Sequence, residues 1–215
     1  MKSSFLKINR VFLTTLIVML TWTGTVTAEE LKIGDKAPDF SLPNAQGQER
    51  NLYDLLAEGP VVISFYRGGW CPYCNDQLYA YQEKLAEIEA MGAQLVAISP
   101  EKPQSMVDTV LSRGLTFEVL SDTGNKVIRE YGLIWNVTEK DRIRTERFVK
   151  EKTGATLAEY NGIEHPELPI PATYVISQEG VITYAFVNEN YKERAPLPEV
   201  LAAIDSVALI QPAAQ

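Results

Sequence analysis

The chain of 215 residues contains two cysteines, Cys71 and Cys74, which stand close together in the segment FYRGGWCPYC. Two thiols separated by two residues can form a structural disulfide, supply half of a metal site or cycle between dithiol and disulfide. The remaining residues discriminate between these three kinds of chemistry.

The sequence gives little support to a metal site or to a purely structural disulfide. A structural zinc site takes about four ligands, usually Cys or His, and the one histidine, His165, lies in EHPELP, where we expect a loop. We therefore expect no metal and no other cofactor. A disulfide closing a four-residue loop would add only about 2 kcal/mol, against about 3 kcal/mol for a loop of 15 residues. A chain with 46% hydrophobic residues can bury a core without it, so a purely structural disulfide is the weaker alternative to a redox pair.

The residues around the cysteines favour redox chemistry. Pro72 suits the first position of a helix, which places Cys71 at the N-cap and Cys74 in the first turn. Both sulfurs would then lie near unpaired N–H groups at the positive end of the helix dipole, where thiolate is favoured over thiol. Arg67, just before the glycine pair that leads into the helix, could add positive charge. A thiolate can attack a disulfide or a peroxide, and the second thiol can resolve the intermediate.

Alternating strands and helices must position this motif. The segment VVISFYR is a nearly continuous apolar run, typical of a strand buried on both faces. Strands are predicted at 61–67, 94–99 and 117–122, with hairpins turning at Gln46–Gly47 and spanning 173–188. Helices are predicted at 51–59, 72–91, 103–113, 125–132 and 198–210. This order indicates an α/β fold with a mixed central sheet flanked by helices.

One stretch, near 137–168, fits this plan poorly. It begins with the highly charged TEKDRIRTERFVKEKTG, for which we expect an exposed helix, and continues with TLAEYNGIEHPELP, for which we expect a loop. There is no repeat and no shift in composition that would mark a second domain. We therefore predict one domain over 29–215 with a charged insertion near 137–168.

Residues 1–28 have the features of a secretory signal peptide. Lys2, Lys7 and Arg10 precede an apolar run, and small residues at Val26 and Ala28 mark a cleavage site after Ala28. The alternative, an uncleaved anchor, needs about 20 apolar residues, and threonines interrupt this run. We therefore expect secretion across the inner membrane to the periplasm without stable membrane insertion after cleavage. Paired cysteines tend to form disulfides in such an oxidising compartment.

The overall charge argues against one class of partner. The formal net charge is −8 and no basic run is present outside the amino-terminal segment. An acidic chain of this kind is a poor ligand for nucleic acid, and we expect no nucleic-acid partner.

Two sets of motifs resemble known families. WCPYC, with Trp70, is similar to the W-C-x-x-C of thioredoxin-like proteins, and Pro171 in IPATYVIS resembles the proline, usually cis, that faces the cysteines in that fold. From KAPDFSLP through VLSDTGNKVIREYG to the last hairpin, the chain resembles the peroxiredoxins of the alkyl hydroperoxide reductase/thiol-specific antioxidant (AhpC/TSA) family. This resemblance covers nearly all of 31–190 apart from the insertion. It implies a thioredoxin-like fold and antioxidant peroxidase activity.

The chain departs from the peroxidatic motif of that family, P-x-x-x-[ST]-x-x-C. The alignment implies that Cys74 is the peroxidatic cysteine, with Cys71 in the place of Ser or Thr and Arg67 in the place of the proline. The supporting arginine of the family falls near Pro171. The chain therefore resembles a peroxiredoxin scaffold that carries a thioredoxin-type site.

The sequence is compatible with two catalytic mechanisms. In the first, which the longer resemblance favours, Cys74 attacks a hydroperoxide and Cys71 forms a disulfide with it, which an external thioredoxin-like dithiol reduces. In the second, Cys71 attacks a protein disulfide, Cys74 resolves the mixed disulfide, and Pro171 shapes the substrate groove. A third alternative, a non-enzymatic binding module with a vestigial disulfide, is the weakest, because Trp70 and both cysteines of the motif are present.

Overall fold

The computed structural model describes residues 29–136 and 138–208, and its centre is a mixed sheet of five strands. The strands are β1 (Ser41–Pro43), β2 (Glu49–Asn51), β3 (Val61–Phe65), β4 (Gln94–Ser99), β5 (Glu118–Ser121), β6 (Ala172–Ile176) and β7 (Ile182–Val187). The helices are α1 (Leu52–Glu58), α2 (Pro72–Ala90), α3 (Pro103–Arg113), α4 (Lys126–Glu130), α5 (Glu139–Thr153), α6 (Leu157–Asn161) and α7 (Leu197–Ala208).

The central sheet has the order β5-β4-β3-β6-β7, with β1 and β2 forming a separate hairpin. Strand β3 pairs in parallel with β4 and antiparallel with β6, and β7 is antiparallel to β6. All five residues of β3 are buried, as the continuous apolar run predicts. The predicted mixed sheet is therefore confirmed.

Helices cover both faces of the sheet. Because side chains alternate along a strand, Val62 packs with α2 and α7 on one face, whereas Ile63 packs with α1 and α4 on the other. The hydrophobic residues of α2 that predicted a helix are the ones it buries against the sheet, including Leu78 and Ile88. Helix α2 is therefore anchored along its length, and its first turn is held at one end of the sheet.

The insertion is helical in two places. Helix α5 confirms the predicted charged helix, whereas the prediction of a loop over TLAEYNGIEHPELP is wrong at Leu157–Asn161, which form α6. A capping box produces this helix, since the Thr156 hydroxyl accepts from the backbone N–H of Glu159 and the Glu159 carboxylate accepts from the N–H of Thr156. His165 lies outside the helices and strands and is exposed, as predicted.

Two predictions concern residues outside the described ranges. The signal peptide at 1–28 lies there, and so does the end of the closing helix at 210. Among the residues that the structure describes, no helix has the length and apolar character needed to cross a membrane. The domain limits 29–215 stay a prediction.

Candidate active site

The loop between β3 and α2 has a shape that requires glycine at two positions. Gly68 has a φ of +140°, and a Cβ there would lie 2.5 Å from Nε1 of Trp70. A Cβ on Gly69 would lie 2.1 Å from Oγ1 of Thr109 on α3. The backbone of this loop therefore packs directly against a neighbouring helix, immediately before the first cysteine.

A buried carboxylate fixes the same loop. Glu101, which is fully buried, accepts a hydrogen bond from the backbone N–H of Gly69 at 3.2 Å. The same oxygen accepts from the Thr109 hydroxyl at 2.6 Å and from the Tyr160 hydroxyl at 2.7 Å, and the other oxygen accepts from Ser99 at 2.9 Å. Since Tyr160 belongs to α6, this carboxylate connects the insertion to the cysteine loop.

Cys71 and Cys74 stand where the sequence predicts them, at the N-cap and in the first turn of α2, with Pro72 at the first helical position. Both are free thiols. Their exposed fractions are 1% and 0%, so both cysteines are buried. The ring of Trp70, next to Cys71, packs edge-on against the ring of Phe148 in α5, with the ring centres 6.3 Å apart.

The two sulfurs ionise very differently. Burial disfavours the Cys74 thiolate. Four interactions favour it more strongly: a hydrogen bond from Cys71, the charge of Arg194, a backbone hydrogen bond from Arg67 and the charge of Arg67. Together they lower the pKa of Cys74 to about 6. The hydrogen bond with Cys74, together with burial, raises the pKa of Cys71 well above its ordinary value. The expectation that both sulfurs favour the thiolate is therefore wrong for Cys71, because a proton shared between two thiols stabilises only one charge.

Arg194 supplies a contact that sequence reasoning missed. Its Nη2 donates a hydrogen bond to Sγ of Cys74 at 3.3 Å. Arg194 lies in the loop between β7 and α7, and its Nη1 donates to the carbonyl of Glu193 at 2.7 Å, which helps to hold the side chain in place. Nothing in the segment ENYKERAPL marks this arginine, because only the tertiary fold brings it to a cysteine 120 positions earlier.

Arg67 lies close to the cysteines, as predicted, in a cage of aromatic rings. Its guanidinium carbon is 5.2 Å from the ring centre of Trp70, 4.6 Å from that of Trp135 and 4.4 Å from that of Tyr191. The side chain is 2% exposed, and burial lowers the pKa of the guanidinium. The rings stabilise its charge through their faces, but Nε and Nη2 have no acceptor among the described residues.

Pro171 does not have the predicted conformation. The described residues contain no cis peptide bond, so the predicted cis bond before Pro171 is wrong. The chain is already extended there, since the N–H of Ile170 donates to the carbonyl of Leu133 and the carbonyl of Pro171 accepts from Asn188. A trans bond continues this backbone into β6. The register of β3 and β6 pairs Phe65 with Ala172, which places Pro171 at the cysteine end of the sheet.

A cavity of about 270 Å³ opens beside the N-cap of α2. Its lining combines one thiol, two guanidinium groups and several aromatic rings. The lining residues are Arg67, Trp70, Cys71, Pro72, Tyr73, Arg144, Thr145, Phe148 and Tyr191. Four of the six predicted site residues therefore line one space, whereas Cys74 and Pro171 do not.

Bacterial and plant proteins named as peroxiredoxins are similar to this chain in sequence. A putative peroxiredoxin of Mycobacterium tuberculosis is 32% identical over 133 residues, covering 60% of this chain and 84% of the relative. The chloroplastic peroxiredoxin Q of Sedum lineare is 30% identical over 149 residues, covering 67% of this chain and 77% of the relative.

Solved structures show the same fold. The peroxidoxin BcpB of Mycobacterium tuberculosis superposes with a TM-score of 0.63 at 20% identity, over 85% of this chain and 100% of that chain. Peroxiredoxin Q of Xanthomonas campestris gives 0.60 at 20% identity, over 79% and 91%. These similarities confirm the predicted thioredoxin-like fold. The family model described as the AhpC/TSA family matches residues 33–185, and the chain therefore belongs to the AhpC/TSA family.

Proposed function

We propose that this protein is a thiol-dependent peroxidase that reduces hydroperoxides, with Cys74 as the attacking thiolate and Cys71 as the resolving thiol. The observation that carries the assignment is the hydrogen bond from Arg194 to the Cys74 sulfur. With a pKa of about 6, Cys74 is ionised at neutral pH while Cys71 remains a thiol. Membership of the AhpC/TSA family and relatives named peroxiredoxin support the same activity.

The first step is attack on the peroxide. The Cys74 thiolate attacks the terminal oxygen of a hydroperoxide, the O–O bond breaks, and the departing oxygen takes a proton and leaves as an alcohol, or as water from hydrogen peroxide. Cys74 becomes a sulfenic acid. Arg194 orients the thiolate, and its positive charge stabilises the negative charge that develops on the departing oxygen.

The second step closes the disulfide. The Cys71 sulfur attacks the sulfur of the sulfenic acid, and the departing hydroxide takes the Cys71 proton and leaves as water. The hydrogen bond between the two sulfurs supports resolution within the same helix turn. An external thiol must then deliver two electrons to restore the dithiol.

A second candidate function rests on one observation. Cys71 lines the cavity whereas Cys74 does not, and the attacking thiol of a disulfide exchanger must face its substrate. In this alternative, Cys71 attacks a protein disulfide and Cys74 resolves the mixed disulfide. The raised pKa of Cys71 weakens it as a nucleophile, so we assign peroxide reduction first.

The two functions are separated by peroxide consumption in single-cysteine variants. The pre-reduced Cys71→Ser variant should consume about one equivalent of hydroperoxide and carry a sulfenic acid on Cys74, which a dimedone label would detect by mass spectrometry. The Cys74→Ser variant should consume none. A wild-type protein that leaves hydrogen peroxide and organic hydroperoxides intact but reduces insulin disulfides would support the exchange alternative instead.

Export to the periplasm completes the proposal, on the basis of the basic start, the apolar run and the Val26–Ala28 site. Expression of the full chain in a Gram-negative host should yield a periplasmic protein that begins at Glu29. Amino-terminal sequencing of the fractionated protein tests this. An uncleaved chain in the membrane fraction would contradict it.

A further inference from the structure

The cavity beside α2 is lined by the resolving thiol, Cys71, and not by the attacking thiol, Cys74. We propose that it binds the reducing substrate, and that this substrate is a small thiol carrying a carboxylate. The inference rests on the proposed function, because it concerns the step that restores the Cys71–Cys74 dithiol. It specifies a class of electron donor that differs from the thioredoxin-like dithiol implied by the family resemblance.

The guanidinium of Arg67 has no carboxylate partner among the described residues. Three aromatic rings have their centres within 5.2 Å of its guanidinium carbon. Nε and Nη2 are buried without an acceptor, and no ion pair involves Arg67 in the described part of the chain. Buried donors are normally satisfied. Because Arg67 lines the cavity, an anionic ligand there would place a negative charge beside its guanidinium.

The rest of the cavity lining combines apolar walls with a second positive charge. The rings of Tyr73, Phe148 and Tyr191 provide apolar walls, and Arg144 of α5 stands at the rim. Arg144 is exposed and pairs with Asp141 at 2.9 Å. In a chain with a net charge of −8, two guanidinium groups on one small cavity select an anion. A volume of about 270 Å³ suits a small organic molecule.

The position of Cys71 indicates that the ligand of this cavity is the reductant. Of the two sulfurs, only that of Cys71 belongs to the lining. Thiol–disulfide exchange proceeds fastest when the sulfur that leaves has the lower pKa, and in this pair that sulfur is Cys74. Attack on Cys71 from the cavity is therefore the favoured direction. Because Cys71 is 1% exposed, a small thiol reaches it more readily than the flat surface of a second protein.

Reduction of the disulfide takes two thiol–disulfide exchange steps. A thiolate in the cavity attacks the Cys71 sulfur, a new S–S bond forms, the Cys71–Cys74 bond breaks, and Cys74 leaves as thiolate. A second thiolate attacks the sulfur of the bound small thiol, releasing a small-molecule disulfide and the Cys71 thiolate, which takes up a proton. Two thiols supply the two electrons. Arg67 stabilises the incoming thiolate, and Arg144 binds the carboxylate at the rim.

The test compares three thiols that differ in charge. The purified protein is oxidised to the disulfide, and its reduction by mercaptopropionate, mercaptoethanol or cysteamine is followed through the tryptophan fluorescence next to Cys71. Rates are expressed per thiolate and corrected for the nucleophilicity of each thiol. We expect mercaptopropionate to react about fivefold faster than mercaptoethanol, and cysteamine to be slowest, as expected for a partly exposed charge pair.

Two arginines of α5 provide matched variants. Arg144 lines the cavity, whereas Arg142 on the same helix is equally exposed, pairs with Glu139 and lies outside the lining. Arg144→Gln should reduce the preference for mercaptopropionate over mercaptoethanol to about twofold or less. Arg142→Gln should leave the preference unchanged. Addition of salt should weaken the preference of the wild-type protein.

Three outcomes would overturn the inference. They are equal rates per thiolate for the three thiols, an equal loss of preference in both arginine variants, and reduction by a protein dithiol alone. Failure of the peroxidase proposal would be seen separately, as absence of disulfide formation with one equivalent of peroxide. Oxidation with diamide would then still supply the disulfide, so the cavity can be tested independently.

Discussion

Arg194 and Cys74 are 120 positions apart in the chain and are joined by a hydrogen bond of 3.3 Å from Nη2 to Sγ. The contact places a permanent positive charge on a sulfur that is otherwise completely buried. Burial alone would keep this thiol protonated, so the arginine and the neighbouring Cys71 thiol decide its ionisation. Reactivity at Cys74 therefore depends on a loop at the far end of the sequence.

Removal of this charge should weaken the nucleophile. Arg194→Gln is expected to raise the pKa of Cys74 by about one pH unit, because an opposite charge within contact distance favours the thiolate. The measurement is the rate of iodoacetamide alkylation of the pre-reduced Cys71→Ser background across pH. Lys192→Gln, in the same loop, is the control and should leave the profile unchanged. Identical profiles for both variants would exclude a role for Arg194.

The hydrogen bond from Cys71 should have a separable effect on Cys74. Cys71→Ala removes the donor, whereas Cys71→Ser retains one, so the pKa of Cys74 should be higher in the alanine variant by about one pH unit. Alkylation rises with pH as the thiolate forms, and the alanine variant should therefore react more slowly at neutral pH. Coincident pH profiles would show that the sulfur–sulfur hydrogen bond does not control ionisation.

The stability of the reduced protein should follow the two pKa shifts. The pKa of Cys74 falls from 9.0 to about 6 on folding, so its contribution to stability is present above pH 9 and is lost as pH falls toward 6. The raised pKa of Cys71 has the opposite effect. Its contribution to the stability of the folded protein is present below pH 9 and is lost as pH rises above 9. The melting temperature of the reduced wild type minus that of Cys74→Ser should therefore increase between pH 6 and 9. A constant difference would contradict the shifted pKa of Cys74.

Glu101 should be required for the stability of the cysteine loop. Glu101→Gln removes the negative charge and one of the two acceptor oxygens that receive these four hydrogen bonds, which should cost about 1–3 kcal/mol in the free energy of unfolding. Tyr160→Phe removes a single donor and should cost about 1 kcal/mol. Urea denaturation measures both. A Glu101→Gln variant as stable as wild type would show that Gly69 is held without this carboxylate.

Local patterns were sufficient for much of the fold. The apolar run of β3 and the spacing of hydrophobic residues in α2 predicted both elements, because burial on the sheet imposes those periods. Pro72 located the helix start and thus the positions of both cysteines. The capping box at Thr156 was a readable signal for α6, although the following polar segment suggested a loop.

The electrostatics of the site depended on tertiary packing. From the sequence alone, Cys71 and Cys74 were a redox pair at the positive end of a helix, belonging to a peroxiredoxin-like α/β chain. The order of their ionisation could not be derived, since it depends on which sulfur lies against Arg194 and which donates the shared proton. Hydrogen bonds and charge interactions between segments that are distant in sequence leave no periodic pattern of residue types from which they could be predicted. Only the packing of the β7–α7 loop brings Arg194 to Cys74.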